Sequence, residues 1–391
     1  MMETKQKKET RRINIGIIGC GHISQNHIFS LTLVEANARK IWKWKESEIK
    51  IRPHLYAYAD ILEDAVKNMA KSFPIDKQFV GKNAGFELIE DPDVHAVFIL
   101  TPTYLHKEFV LAALNQGKHV FCEKPLCFPP SEIDAIIKAR DSNHVVFQPG
   151  LVMRSTSPIH YLQLLTEQNK VKWGKPMNIV FRDSQQKPYL GELEVHNSTW
   201  RKDQTQAYSG ILFEHVIHDI DGMISIFGEV EEVYAKINYF AGHPGIEDSV
   251  ASIITFKNGI NLSISAMWND LDYDCRYYEI YFEKARITII SDGRSKKLAE
   301  IKLLYLDEAE IELDLEKMDE YFFSKIGLPH VKAEVSGPYY AEDLRFINAI
   351  VKNNIKSEIT AESAKYAHEI IEACYESGRK GVPIKIQPFL N

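Results

Sequence analysis

Residues 13–28 read Ile-Asn-Ile-Gly-Ile-Ile-Gly-Cys-Gly-His-Ile-Ser-Gln-Asn-His-Ile. The first six form an apolar run with β-branched residues, Ile13, Ile15, Ile17 and Ile18, as a strand buried on both faces of a parallel sheet should. Gly19 and Gly21 break the run, and Ile23, His27 and Leu31 then recur at helical spacing. A glycine pair between strand and helix has a physical use: Gly19 takes a tight turn, and Gly21 lets the backbone come close to a pyrophosphate resting on the helix N-terminus. The third position of that fingerprint is Ser24 rather than glycine, which predicts slightly looser helix–strand packing. An ordinary βα turn would look similar in isolation, so the rest of the chain decides.

A chain of 391 residues is too long for one small core and suits two domains. With 45% apolar and 26% charged residues it is an ordinary globular composition. A net charge of −7 carries no electrostatic footprint for nucleic acid. The only basic run, Lys5 to Arg12, reads as a solvated tail over residues 1–12, and no window is apolar enough for a membrane span. Cys20, Cys122, Cys127, Cys275 and Cys374 lack metal or redox spacing, which predicts free thiols in a cytoplasmic protein.

Residues 36–53 read as a helix extension and a surface excursion before a strand over 55–59 that ends at Asp60. An acid there suits the ribose hydroxyls of NAD, although its distance from Gly21 is nearly twice the usual ~20 residues. Asp60 and Glu63 also form a capping pattern for a helix over 61–72. No basic residue follows at once to take a 2′-phosphate, so NAD is favoured, with NADP possible. Strands over 94–100, 119–122 and 145–148 alternate with helices over 107–116 and 131–142, the pattern of a doubly wound parallel sheet. The expected domains are a dinucleotide-binding unit over 13–149 and an α+β unit over 150–391. In the second, a helix over 158–168, a strand over 177–181 and a helix over 211–227 precede strands over 233–239, 249–256, 260–268, 277–282 and 285–290. Further strand-like runs reach Leu315. Asn258-Gly259 marks a hairpin. This sheet is expected to be large, mostly antiparallel and open on one face, a candidate subunit interface. Two late helices, over 341–353 and 361–377, are candidates to pack back on the first domain.

Ligands of doubly wound sheets bind beyond the C-terminal strand ends, where Thr101, Pro102 and Lys124 fall. A lysine there can lower a hydroxyl pKa or hold alkoxide charge, and the competing reading is a solvated lysine paired with Glu123. Glu214 and His218 are four apart on one helix, so the carboxylate is expected to orient the imidazole and raise its pKa. A core histidine, or a metal pair with His215, are the alternatives, but no third ligand is apparent. Arg154, Tyr189, Trp200 and Arg201 are candidate substrate contacts or residues of a domain seam.

Gly19-Cys20-Gly21, Asp60, Thr101-Pro102, His106, Glu123-Lys124-Pro125 and the His218 helix, in this order, resemble the glucose–fructose oxidoreductase/inositol dehydrogenase/MocA family. The likeness runs from Ile13 to Ile386. It implies an N-terminal Rossmann domain and a C-terminal open-sheet α+β domain, an α/β protein overall. It also implies a dehydrogenase or reductase acting on CH–OH groups, transferring hydride between the nicotinamide of NAD and a sugar or polyol. Cofactor contacts would come from Gly19, Cys20, Gly21, His22, Ile23, Asp60, Thr101, Pro102, His106, Glu123 and Lys124, although His22 and His27 equally suit local packing or capping. Catalysis would fall to Lys124, His218 and Glu214, where relatives commonly have aspartate in place of Glu214. No metal is expected, and the resemblance implies a homo-oligomer, a dimer or tetramer built through the open sheet. Relatives also include NAD-assisted glycoside hydrolases and non-catalytic regulators, which remain alternatives.

Overall fold

The computed structural model describes residues 11–42, 51–188, 199–269, 274–292, 299–325, 333–354 and 357–389. Strands β1 (Arg11–Ile18), β2 (Ile51–Asp60), β3 (Lys77–Val80), β4 (Ala96–Ile99), β5 (His119–Glu123) and β6 (Phe147–Gly150) form one sheet in the order β3-β2-β1-β4-β5-β6. Every pairing in it is parallel. This is the doubly wound order, which reverses between β1 and β4 and opens a crevice there at the strands' C-terminal ends. Ile15, Ile17 and Ile18 of β1 are buried, as are all four residues of β4. The helix Ala84–Glu90 lies so close to the sheet that a Cβ on Gly16 would meet Leu88 at 2.5 Å.

The second sheet contains β7 (Pro176–Gln186), β8 (Val230–Asn238), β9 (Ser249–Phe256), β10 (Asn261–Asn269), β11 (Cys275–Phe282), β12 (Ala285–Asp292), β13 (Glu300–Tyr305), β14 (Ile311–Glu312) and β15 (Ile384–Lys385). Their order is β14-β13-β12-β11-β7-β10-β9-β8-β15, antiparallel except where β10 runs parallel to β7. Alternation along β9 and β10 buries Val250, Ile254, Leu262 and Ile264 on one face. The other face leaves Ile253 and Met267 exposed.

Several boundaries differ from the sequence expectation. Helix His22–Ile41 ends before the expected excursion, and β2 starts at Ile51, so it includes Pro53. β3 and helix Ala84–Glu90 are additional, because β3 has mainly exposed residues and offers no apolar run to read. The last strand of the first sheet begins two residues later than its valines suggest. Leu315 starts a helix, Leu315–Lys325, rather than ending a strand. Asp60 does not cap the following helix: the N-cap is Leu62, and the Asp60 carboxylate accepts from Leu62 N at 2.8 Å and Cys20 N at 2.7 Å.

The late helices Ala333–Val351 and Ala361–Lys380 return to the first sheet. Trp42 Nε1 donates to Asn348 Oδ1, Gln148 Nε2 donates to the Glu342 carbonyl, and Arg140 makes a two-pronged pair with Glu362. At the centre is His27, fully buried, with Nδ1 2.8 Å from Asp343 Oδ1 and Nε2 3.1 Å from Glu123 Oε1. Two carboxylates facing the two ring nitrogens require both nitrogens to be donors. Burial by itself lowers the imidazole pKa, but Asp343 and Glu123 outweigh it and raise it to about 10.

Replacing His27 with Gln leaves Asp343 and Glu123 facing a neutral group, and is expected to cost about 3–5 kcal/mol of unfolding free energy in denaturant titrations. The raised pKa contributes stability that is complete below pH 6.5 and fades as pH rises through about 10. His27→Gln should therefore flatten the alkaline fall in Tm seen for the wild type.

Candidate active site

The crevice at the C-terminal edge of the first sheet continues to the ends of β7 and β11 as one cleft of about 620 Å³. At one end lie Gly19, Gly21, His22, Ile23, Asp60, Thr101 and Pro102. Gly19 has φ +96°, and a Cβ on it would come within 2.7 Å of the Leu100 carbonyl oxygen, so this turn requires glycine. A Cβ on Gly21 would meet nothing within 4 Å. Gly21 is the N-cap of helix His22–Ile41, which has no side-chain cap and no acid in its first turn. Its free N–H groups and open approach fit a pyrophosphate. Ser24 is buried and its Oγ donates to the Gly19 carbonyl at 2.6 Å, so the departure from glycine ties the turn to the helix instead of loosening it. Ile61 and Leu62, exposed at 67% and 61%, flank Asp60 at the rim and give an apolar surface for a planar base.

Lys124, Glu214, His215, His218, Trp200 and Arg201 line the other end. Lys124 follows β5, and its backbone N–H donates to Glu123 Oε2 at 3.0 Å, so the carboxylate held by His27 also holds the lysine's main chain. Its Nζ donates to the Glu214 carbonyl at 2.6 Å and lies 3.5 Å from Glu214 Oε2. Glu214 sits in a π-turn, Leu212–Val216, that leads into helix Ile217–Phe227. Such widened turns recur at functional sites. Buried Glu247 fixes the start of this one by accepting from Gly210 N at 2.7 Å and Leu212 N at 2.9 Å.

Here the structure corrects the expected pairing. Glu214 Oε2 accepts from Arg201 Nε at 2.8 Å, not from His218. Burial opposes ionisation of Glu214, yet Arg201 and Lys124 prevail and hold its carboxyl below the usual range. His218 is pushed well below 6.5, first by burial and then by Lys124 and Arg276, so it is neutral rather than a carboxylate-stabilised cation. Its Nδ1 has no partner among the described residues. The Arg201 guanidinium also lies 4.4 Å over the Trp200 ring.

Other candidates are placed elsewhere. Arg154 does not line the cleft; Nε and Nη2 pair with Asp221 at 2.5 and 2.6 Å, which makes it a structural ion pair. His106 is buried outside the cleft lining and bridges the carbonyls of Pro125 and Thr101 at 2.7 and 2.8 Å. Cys20 contributes its backbone N–H to Asp60, and its thiol is buried. Tyr189 lies outside the described residues. The sequence reading missed Gln185, Asp274, Arg276 and Tyr339, which all line the cleft. They come from strand ends and a late helix and carry no local motif. Among the described residues, His27, Glu123 and Glu342 have metal-ligand composition, with donor atoms within 4.8 Å of one another. Both ring nitrogens of His27 are committed to carboxylates, and burial together with Glu123 keeps Glu342 a neutral acid, so protons occupy this cluster.

The chain matches the family model described as the oxidoreductase family, NAD-binding Rossmann fold, over residues 13–151, and its C-terminal alpha/beta domain over 180–386. It is 29% identical to the myo-inositol 2-dehydrogenase of Thermotoga maritima over 286 residues, covering 70% of this chain and 74% of that one. An uncharacterized oxidoreductase of Bacillus subtilis is 24% identical over 383 residues, 97% of this chain and 98% of that one. Levoglucosan dehydrogenase in complex with NADH superimposes with a TM-score of 0.81 at 21% identity, over 97% of this chain and 100% of that chain.

Because Gly21 is extended and its Cβ direction is open, Gly21→Val is expected to fold with a near wild-type Tm while weakening NADH binding at least tenfold in a fluorescence titration.

Proposed function

The chain belongs to the oxidoreductase family with an NAD-binding Rossmann fold, and from that membership we propose that it oxidises, or in reverse regenerates, a secondary hydroxyl of a sugar, polyol or sugar derivative. NAD, when bound, supplies the hydride acceptor. The observation that carries the reading is that Lys124, at the end of β5, and His218, on helix Ile217–Phe227, line one cleft with the glycine turn. Lys124 Nζ, held by the Glu214 carbonyl, presents a positive charge to the oxygen on which alkoxide character develops. His218, neutral and with an unpartnered Nδ1, receives the hydroxyl proton as the substrate carbon gives up its hydride. Glu214, bonded to Arg201 and near Lys124, positions both cations and takes no proton itself. Trp200 offers a flat face for a sugar ring.

The exposed Ile253 and Met267 on the open face of the second sheet support assembly of copies through that face. Five free cysteines, four of them buried, fit a reducing, cytoplasmic setting.

With NAD and a panel of sugars and inositols, net NADH formation is expected; glycoside cleavage without it would refute the reading. Lys124→Ala should lower kcat by roughly 100-fold or more while NADH affinity holds. Because His218 stays neutral down to well below pH 6.5, the acid limb of kcat for oxidation is expected below that value, and His218→Gln should remove it. Ile253→Asp should reduce the mass measured by light scattering.

A further inference from the structure

The cleft holds one arginine whose hydrogen-bonding capacity is largely unspent. Arg276, on β11, lines the end of the cleft that holds Lys124 and His218. Its Nε lies 3.4 Å from Asp219 Oδ1 and 3.8 Å from Asp183 Oδ1. Asp219 also accepts from Tyr278 Oη, and Asp183 from Gln185 Nε2 at 2.6 Å. These carboxylates are almost completely buried behind the guanidinium, whose side chain is 21% exposed. Their nearest approach is to Nε, at ion-pair distance, and the guanidinium makes no hydrogen bond among the described residues. A guanidinium carries five N–H donors, and a free planar fork in a cleft matches a carboxylate.

Lys124 and Arg201 both face the carboxylate of Glu214. Asp183 and Asp219 face the one Arg276, and burial raises the pKa of each. Asp274 stands at the exposed rim, where water screens it, with Oδ1 accepting from Gln186 N at 3.1 Å.

We propose that Arg276 anchors a carboxylate, and that the substrate of this cleft is a sugar acid, a uronate or aldonate, rather than a neutral sugar. The proposal rests on the hydride-transfer reading for the reaction, and on the arginine fork alone for binding.

The test pairs each acid with its neutral parent, glucuronate with glucose and galacturonate with galactose, and adds glucose 6-phosphate. Calorimetry on the enzyme–NADH complex reads binding, and absorbance of NADH reads turnover. The acids are expected to bind on the order of 10- to 100-fold tighter than their parents, with an advantage that shrinks from 50 to about 500 mM salt. Arg276→Gln should bring the acid-to-neutral ratio close to one, and Arg276→Lys should restore it in part. The salt dependence of the wild type serves as an independent readout should Arg276→Gln fail to fold. Equal binding of acids and neutral parents overturns the assignment, and so does a preference for the phosphate, or a ratio that Arg276→Gln leaves unchanged. Oxidation of neutral sugars alone refutes the anchor and leaves hydride transfer standing, whereas Arg276-dependent acid binding with no NADH from any compound does the reverse.

Discussion

A buried imidazolium organises this molecule. His27 stands on the helix whose N-terminus faces the pyrophosphate crevice, and its two nitrogens grip Glu123 at the end of β5 and Asp343 on a late helix. Three segments remote in sequence are thus fixed to one ring. Because Glu123 also accepts the main-chain N–H of Lys124, the ring governs where the lysine leaves the sheet. Ion pairs of this kind gain little over an apolar core but cost heavily when one partner is lost, which is what a positional clamp needs.

The cleft shows a second economy of charge. Glu214 faces both Lys124 and Arg201, and these cations hold its carboxyl below the usual range against burial. Burial first, and then Lys124 and Arg276, push His215 and His218 well below the usual imidazole range, with Arg201 adding to the effect on His215. Lys124 and His218 are therefore complementary at neutral pH, one a positive donor and the other an unprotonated acceptor. A carboxylate bound to His218 would have made both groups cations and removed the base.

Much of this was legible along the chain. The strand from Ile13, the turn at Gly19 and Gly21 and the alternation up to β6 specify a doubly wound sheet, since each element carries its own periodicity. Lys124 was readable because a strand end in such a sheet is already a ligand position. β3 was not, being short and largely exposed. Arg154 and Arg201 look alike in sequence, yet one is consumed by Asp221 and the other meets Glu214 in the cleft.

The sequence by itself determined the local order where periodicity was readable: the strands with an apolar run, the turn that must be glycine, and the place of Lys124 at a strand end. Partner choice was left to the tertiary structure, which gave Glu214 to Arg201 and Lys124, His27 to Asp343, and Arg276 a place at the start of β11 facing the cleft. The reason is physical: periodicity is set by neighbours a few residues away, whereas ionisation and pairing depend on burial and on charges brought close only when the two sheets and the late helices pack.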